Sequence, residues 1–302
     1  MINGINAGIP PGLPIRTSPE VSSIIDVPEY EGAITNVFKS VVGLETIYKQ
    51  YQEDIKQWPV AYDEIMLQSE FGQTYCLRCG DINNPPLIML HGLAVSSLSF
   101  LPNIAQLSKN YCVYLLDFPG GAGRSLPSAL MLKERNVAAW LTDSIAQLEH
   151  RNVTVLGTSF GSWLATEYAL TQPKQLDKLI LASPPPLAGK TKLKVRTLFK
   201  MICLGLNKTK GNIEKLCQLL SAPNNPIDER VLTEMFNGLT HTKSFKESGH
   251  SLKKEKAHTI NVPIDFIIGE YEILCDEKSL KGHFPHANIN MVENAGHMVN
   301  IE

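Results

Sequence analysis

The stretch VTVLGTSFGSWLATEYAL, Val153 to Leu170, changes character halfway along. Its first residues, VTVLG, are strand-length and β-branched, whereas SWLATEYALTQP has a helical pattern that Pro173 stops. At the junction Ser159 stands with Gly157 two residues before it and Gly161 two residues after it. G-x-S-x-G between a strand and a helix is the spacing of a nucleophile elbow, a turn so sharp that the flanking positions must be small. Such a turn lifts the serine hydroxyl above the sheet edge. It also places the N–H of Phe160 and the start of the next helix where they can stabilise an oxyanion.

Five-residue matches of this kind recur in many chains, so the surrounding sequence has to carry the reading. Working outward, LIML (Leu87–Leu90), CVYLLD (Cys112–Asp117), KLILAS (Lys178–Ser183), IDFIIG (Ile264–Gly269) and NINMVE (Asn288–Glu293) join VTVLG as short runs rich in Val, Ile and Leu. All six read as buried parallel strands. Between them, VAAWLTDSIAQL puts Val137, Leu141, Ile145 and Leu148 on one helical stripe. Strand alternating with helix predicts an α/β fold with a doubly wound, mostly parallel sheet.

Two regions break the alternation. Residues 1–57 hold a Pro-rich start and then a helical pattern through Ile34, Val37, Phe38, Val41, Ile47, Tyr51 and Ile55, expected to pack on the main body. Residues 187–258 follow SPPP and contain RTLFKMICLGL, IEKLCQLL and ERVLTEMF, the pattern of an inserted helical cap. The expected organisation is therefore an N-terminal extension (1–57), a first core part (58–186), the cap (187–258) and a second core part (259–302). Phe199, Met201 and Met235 in the insertion are candidates to line an apolar acyl pocket, with the lysines facing solvent.

Composition narrows the class. The 302 residues are 43% hydrophobic and 19% charged, enough apolar material for one large globular body with an insertion. Within 187–258 there are 14 Lys and Arg against 6 Asp and Glu, while the whole chain has a net charge of −2, so the insertion is basic and the body acidic. That balance suits a solvated polar face, or attraction to anionic substrates or an anionic surface. Nucleic acid is not expected, since the lysines are scattered and Leu187–Gln218 contains one aromatic residue, Phe199. Cys76 and Cys79 form a CxxC pair in a strand-like segment, where they face opposite sides and do not suit a metal or redox centre. No apolar run approaches the roughly 18 residues of a membrane helix, and no signal peptide is visible, so the expected location is cytoplasmic.

A serine hydroxyl needs a base to take its proton and an acid to orient that base. LIMLHGLAVSS places His91 and Gly92 at a strand end, where the loop can offer a second N–H, that of Leu93; His91 itself reads as a loop-shaping histidine. ENAGHMVNIE supplies His297 as base, and IIGEYEILCDE offers Glu270, Glu272 and Asp276 as acids. Each lies beyond the C-terminal end of a strand, where open α/β sheets build their sites.

In order along residues 58–302, FGQTYCLRCG, PPLIMLHG, YLLDFPGGAGRS, GTSFG, NVPIDFIIGEYE and NAGH resemble the α/β-hydrolase family, in its cap-bearing, esterase-like branch. The resemblance implies Ser159 as nucleophile, His297 as base, Glu272 as triad acid with Asp276 as the alternative, and Leu93 and Phe160 as the oxyanion hole. It implies no cofactor or metal, and a small-molecule ester or related acyl compound as substrate. Peptidases and carbon–carbon hydrolases of the same fold, or a binding protein that kept the fold, remain alternatives. Three departures stand out: glutamate where this branch usually has aspartate, a DFPGGAGRS loop one residue longer than the common pattern, and Glu302 only five residues past His297, where the family runs on into a helix.

Overall fold

Five of the six apolar runs become inner strands of one sheet, and the sixth, NINMVE, its edge. In the computed structural model, which describes residues 37–128, 131, 136–243 and 251–302, the strands are β1 (Tyr62–Ser69), β2 (Gly72–Cys79), β3 (Pro86–Leu90), β4 (Cys112–Leu116), β5 (Leu126–Pro127), β6 (Val153–Thr158), β7 (Leu176–Ala182), β8 (Ile264–Gly269) and β9 (Asn288–Val292). Their order is β1-β2-β4-β3-β6-β7-β8-β9, with β5 pairing on β2. From β4 to β9 every pairing is parallel; β1 and β2 form an antiparallel hairpin, and β2 joins β4 antiparallel. The helices are α1 (Val41–Asp54), α2 (Leu101–Leu107), α3 (Val137–Ala146), α4 (Phe160–Leu170), α5 (Val195–Leu206), α6 (Lys210–Leu220), α7 (Glu229–His241), α8 (Lys254–Ala257) and α9 (Glu277–His283).

Burial on both faces explains the unbroken apolar strands: every residue of β4 is buried, as are four of the five in β3. One face packs Trp140, Leu141, Leu164 and Tyr168 of α3 and α4; the other packs Leu98, Phe100 and Ile104 before and within α2. The predicted stripe is buried at all four positions, three on α3 and Leu148 just past its end. Cys76 and Cys79 fall into separate apolar clusters, as their opposite orientations in β2 require.

Three expectations change. NINMVE forms a parallel strand, but Asn288, Asn290 and Met291 of β9 are exposed. As the last strand of the order it has one sheet neighbour, and its alternating asparagines suit an edge. Among the described residues, the predicted N-terminal helical pattern is interrupted at Phe38–Ser40, and α1 begins at Val41. The Ser40 side chain accepts from the Gly43 N–H and caps α1, which turns Val41 outward and buries Leu44, Ile47, Tyr48 and Tyr51. Val37 and Phe38 are buried ahead of that helix, with Phe38 bridged to Thr242, and Ile34 lies outside the described residues. Finally, α4 stops at Leu170, short of Pro173.

Helices α5 to α8 all lie in the crossover between β7 and β8. Helix α7 packs on α1, and α6 packs on both α5 and α7. The insertion therefore leaves the sheet at the C-terminal end of β7, the strand edge where β6 delivers Ser159.

Candidate active site

Strand β6 ends at Thr158 and helix α4 begins at Phe160, so the whole turn falls on Ser159, whose φ of 52° and ψ of −114° lie in a region that side chains avoid. Such a conformation costs on the order of 1–3 kcal/mol and persists only where the surroundings hold it. Two close backbone approaches hold it here. A Cβ on Gly157 would sit 2.2 Å from Gly161 O, and one on Gly161 would sit 2.1 Å from Leu90 O. The Ser159 N–H donates to Ala182 O at 2.9 Å, tying the turn to β7.

The strained turn aims Ser159 Oγ at His297 Nε2, 2.8 Å away. His297 Nδ1 lies 2.8 Å from Glu272 Oε2, and Glu272 Oε1 accepts the Leu274 N–H at 2.6 Å. With its Nδ1–H directed at the carboxylate, the imidazole presents an acceptor lone pair to the serine hydroxyl. Burial pushes the Glu272 carboxyl upward, but the hydrogen bond and charge of His297 and the Leu274 N–H outweigh it, leaving its pKa below the ordinary value. The other two acids are placed elsewhere. The Asp276 carboxylate accepts the Ser279 N–H at 2.8 Å and caps α9, while Glu270 accepts the Asn294 N–H at 3.1 Å on an exposed turn.

Leu93 and Phe160 flank the serine. Phe160 occupies the first position of α4, where helical backbone N–H groups have no partner within their own helix. Leu93 sits in the loop after β3, next to Ala94 with a φ of 64°. His91 shapes that loop: its Nε2 accepts the Phe118 N–H at 3.0 Å and its Nδ1–H donates to Gly92 O at 2.8 Å. Burial lowers its pKa, so the ring stays neutral in these two bonds. Asp117, at the head of the long DFPGGAGRS loop, accepts the Ser97 N–H and the Arg124 N–H, both at 2.8 Å, and locks the two loops together.

Three supporting residues were not apparent from the sequence. His297 donates its N–H to Leu220 O at the end of α6, so the insertion itself steadies the imidazole. The Glu302 side chain accepts the Gly296 N–H at 2.7 Å and the Ala222 N–H at 2.6 Å, clamping the same turn. Glu234 of α7 accepts the Ser96 N–H at 2.7 Å and bonds the Ser96 hydroxyl, gripping the Leu93 loop from the insertion; burial raises its pKa to about 7. Apart from the Glu302–Gly296 bond, these are tertiary contacts between residues far apart in the chain. The one local hint was an acid five residues past His297.

A mainly apolar cavity of about 240 Å³ opens over Ser159 and His297, with Leu216 and Leu220 of α6 and Val231 and Met235 of α7 in its wall. Of the three insertion residues expected there, Met235 is present. Phe199 and Met201 are not; both lie on α5, where Phe199 is exposed. Among the described residues, no cluster of His, Cys, Asp and Glu is arranged to hold a metal ion, and no helix is long and apolar enough to cross a membrane.

A family model described as the alpha/beta hydrolase fold matches residues 85–201. The chain is 25% identical to a Bacillus subtilis protein described as the uncharacterized carboxylesterase nap, over 84% of this chain and 87% of that one. It is 23% identical to the carboxylesterase YbfK of the same organism, over 84% and 88%. The solved structures of the Bacillus subtilis naproxen esterase, 25% identical, and of YbfK, 22% identical, both superpose with a TM-score of 0.75 over 86% of this chain and 93% of theirs. With strand order, elbow and family match in agreement, the chain has the α/β-hydrolase fold and is a hydrolase of that fold.

Proposed function

We propose that this protein hydrolyses carboxylic esters through an acyl-enzyme, with Ser159, His297 and Glu272 as its triad. The observation that carries the reading is the unbroken relay from Ser159 Oγ to His297 to Glu272, two contacts of 2.8 Å starting from a serine held in a strained turn. In this scheme His297 Nε2 takes the hydroxyl proton as Ser159 Oγ attacks the ester carbonyl carbon. The resulting oxyanion is stabilised by the N–H groups of Leu93 and Phe160. The tetrahedral adduct collapses, the alkoxide leaves with the proton from His297, and the acyl group stays on Ser159. Water, deprotonated by the same imidazole, then releases the acid and restores the hydroxyl. Glu272 holds the tautomer and stabilises the imidazolium at both stages.

Residues 187–258 act as the cap in this reading, because α6 and α7 roof the cavity that would hold an apolar acyl group. That Bacillus subtilis relatives of similar length bear carboxylesterase names favours esters over other acyl bonds. A panel of p-nitrophenyl esters with a fluorophosphonate probe tests the proposal. Wild-type protein is expected to turn over short-chain esters and to be labelled on Ser159. Ser159→Ala should lose the label and lower kcat by a factor on the order of 10⁴–10⁶ while still folding. Retained turnover in that variant would overturn the assignment.

A further inference from the structure

Helix α5 is built inside out. Not one of its residues is buried, although VRTLFKMICLGL carries a continuous apolar stripe. Val195, Leu198, Phe199, Ile202 and Leu206 recur at the three- and four-residue steps of one helical face, and that face looks into solvent: Val195 is 83% exposed, Phe199 68% and Leu206 80%. The half-buried side chains are Thr197, Met201 and Leu204, on the opposite side of the same helix. An amphipathic surface helix ordinarily turns its apolar stripe inward, and a contiguous exposed patch of this kind marks an interaction site.

The charges around the stripe say what fits it. Between Leu187 and Ile213 lie Lys190, Lys192, Lys194, Arg196 and Lys200 with no acidic residue in the segment, while Lys208 and Lys210 of the same segment are engaged by Leu239 O and Glu229 of α7. A second copy laid face to face would bring these cations against one another. An anionic lipid surface meets both halves of the pattern at once: large apolar side chains enter the acyl boundary while flanking Lys and Arg reach the phosphates. We propose that α5 is an interfacial helix that docks this protein on an anionic lipid membrane, with Phe199 and Ile202 as its central inserted side chains. Helix α6, against which α5 packs, supplies Leu216 and Leu220 to the cavity, so docking places the lipid on the helix next to the cavity wall. The proposal stands whether or not Ser159 is the nucleophile.

Vesicle co-sedimentation tests it. The full chain is mixed with phosphatidylcholine vesicles with and without phosphatidylglycerol, at low and high salt. Binding is expected to the anionic vesicles and to weaken by about tenfold or more in high salt or without phosphatidylglycerol. Phe199→Glu combined with Ile202→Glu should weaken it by at least about tenfold. Lys192→Glu combined with Lys194→Glu should do the same, by removing the charge attraction. Circular dichroism and turnover of a soluble short-chain ester are expected to stay at wild-type levels in both variants. Failure to bind anionic vesicles at low salt, or binding indifferent to the Phe199 and Ile202 changes, would overturn the proposal. So would concentration-dependent self-association in ultracentrifugation that those changes abolish, since the stripe would then be covered by a second copy.

Discussion

Helices α4 and α5 are nearly the same length and both rich in apolar residues, yet they sit at opposite extremes of burial. Nine of the eleven residues of α4 are buried and none of the twelve in α5. The difference is one of layers. Helix α4 fills the crossover between two adjacent parallel strands, β6 and β7, and has α3 against its flank, so every direction around its axis meets protein. Helix α5 belongs to an insertion packed over the sheet edge and touches that insertion's next helix, α6. Apolar content says that a helix needs a partner; its layer decides whether the fold supplies one.

The contrast makes predictions of decreasing size. The largest concerns the buried relay that α4 helps to orient. Glu272→Gln keeps the shape and removes the charge, and is expected to lower kcat by a factor on the order of 10⁴. Asp276→Asn keeps a capping oxygen for α9 and should leave kcat essentially unchanged. Steady-state kinetics of the two variants side by side decide between the acids, and a greater loss in Asp276→Asn would reassign the role.

Next comes the comparison of the helices themselves. Leu164, 1% exposed in α4, and Leu198, 45% exposed in α5, are the same residue type in opposite settings. Leu164→Ala should cost about 2–5 kcal/mol by the cavity it leaves. Leu198→Ala should stay within about 0.5 kcal/mol. Urea unfolding measures both, and equal losses would mean that α5 is packed in solution after all.

The smallest effect lies where the two regions meet. Glu234 is on the insertion yet fully enclosed, with Ser96 of the Leu93 loop on one carboxyl oxygen, Arg230 Nη1 3.6 Å from the other, and Asp54 of α1 nearby. Burial raises its pKa from 4.5 to about 7 in the folded protein. Below the unfolded value both states hold the proton. Between about 4.5 and about 7 the unfolded chain releases a proton that the folded one keeps, so this group's contribution to stability falls as pH rises, by no more than about 3 kcal/mol, and levels off above. Glu234→Gln should flatten that slope. Unfolding curves of both proteins at pH 5 and pH 8 give the comparison, and parallel profiles would separate Glu234 from the pH response.

Much of this architecture could be read without coordinates, and the limits of that reading follow a pattern. Strand and helix identity came through wherever burial imposed a strict period, as in β4 and α3. It faltered where burial was one-sided: β9 has the apolar residues of a strand but lies at an edge, and α1 took its phase from the Ser40 cap, which turned Val41 outward. Ser159 and its two glycines were legible because the tight turn is a local constraint, written in adjacent residues. Likewise His297 and the three acids could be named as candidates, since each follows a strand.

What lay beyond the sequence was every relation set by distance in space and not along the chain. Only the folded chain brought Glu272 within 2.8 Å of His297 while leaving Asp276 to cap a helix, because which acid turns back depends on the path of residues 270–276 across the sheet edge. The clamps on the His297 turn from Leu220 and Glu302, and the grip of Glu234 on the Leu93 loop, join segments up to 138 residues apart, and no periodicity records them. Nor could the helical repeat of VRTLFKMICLGL say which way its stripe would point. Periodicity defines a face relative to the helix axis, and tertiary packing alone turned Phe199 away from the cavity and out toward the solvent.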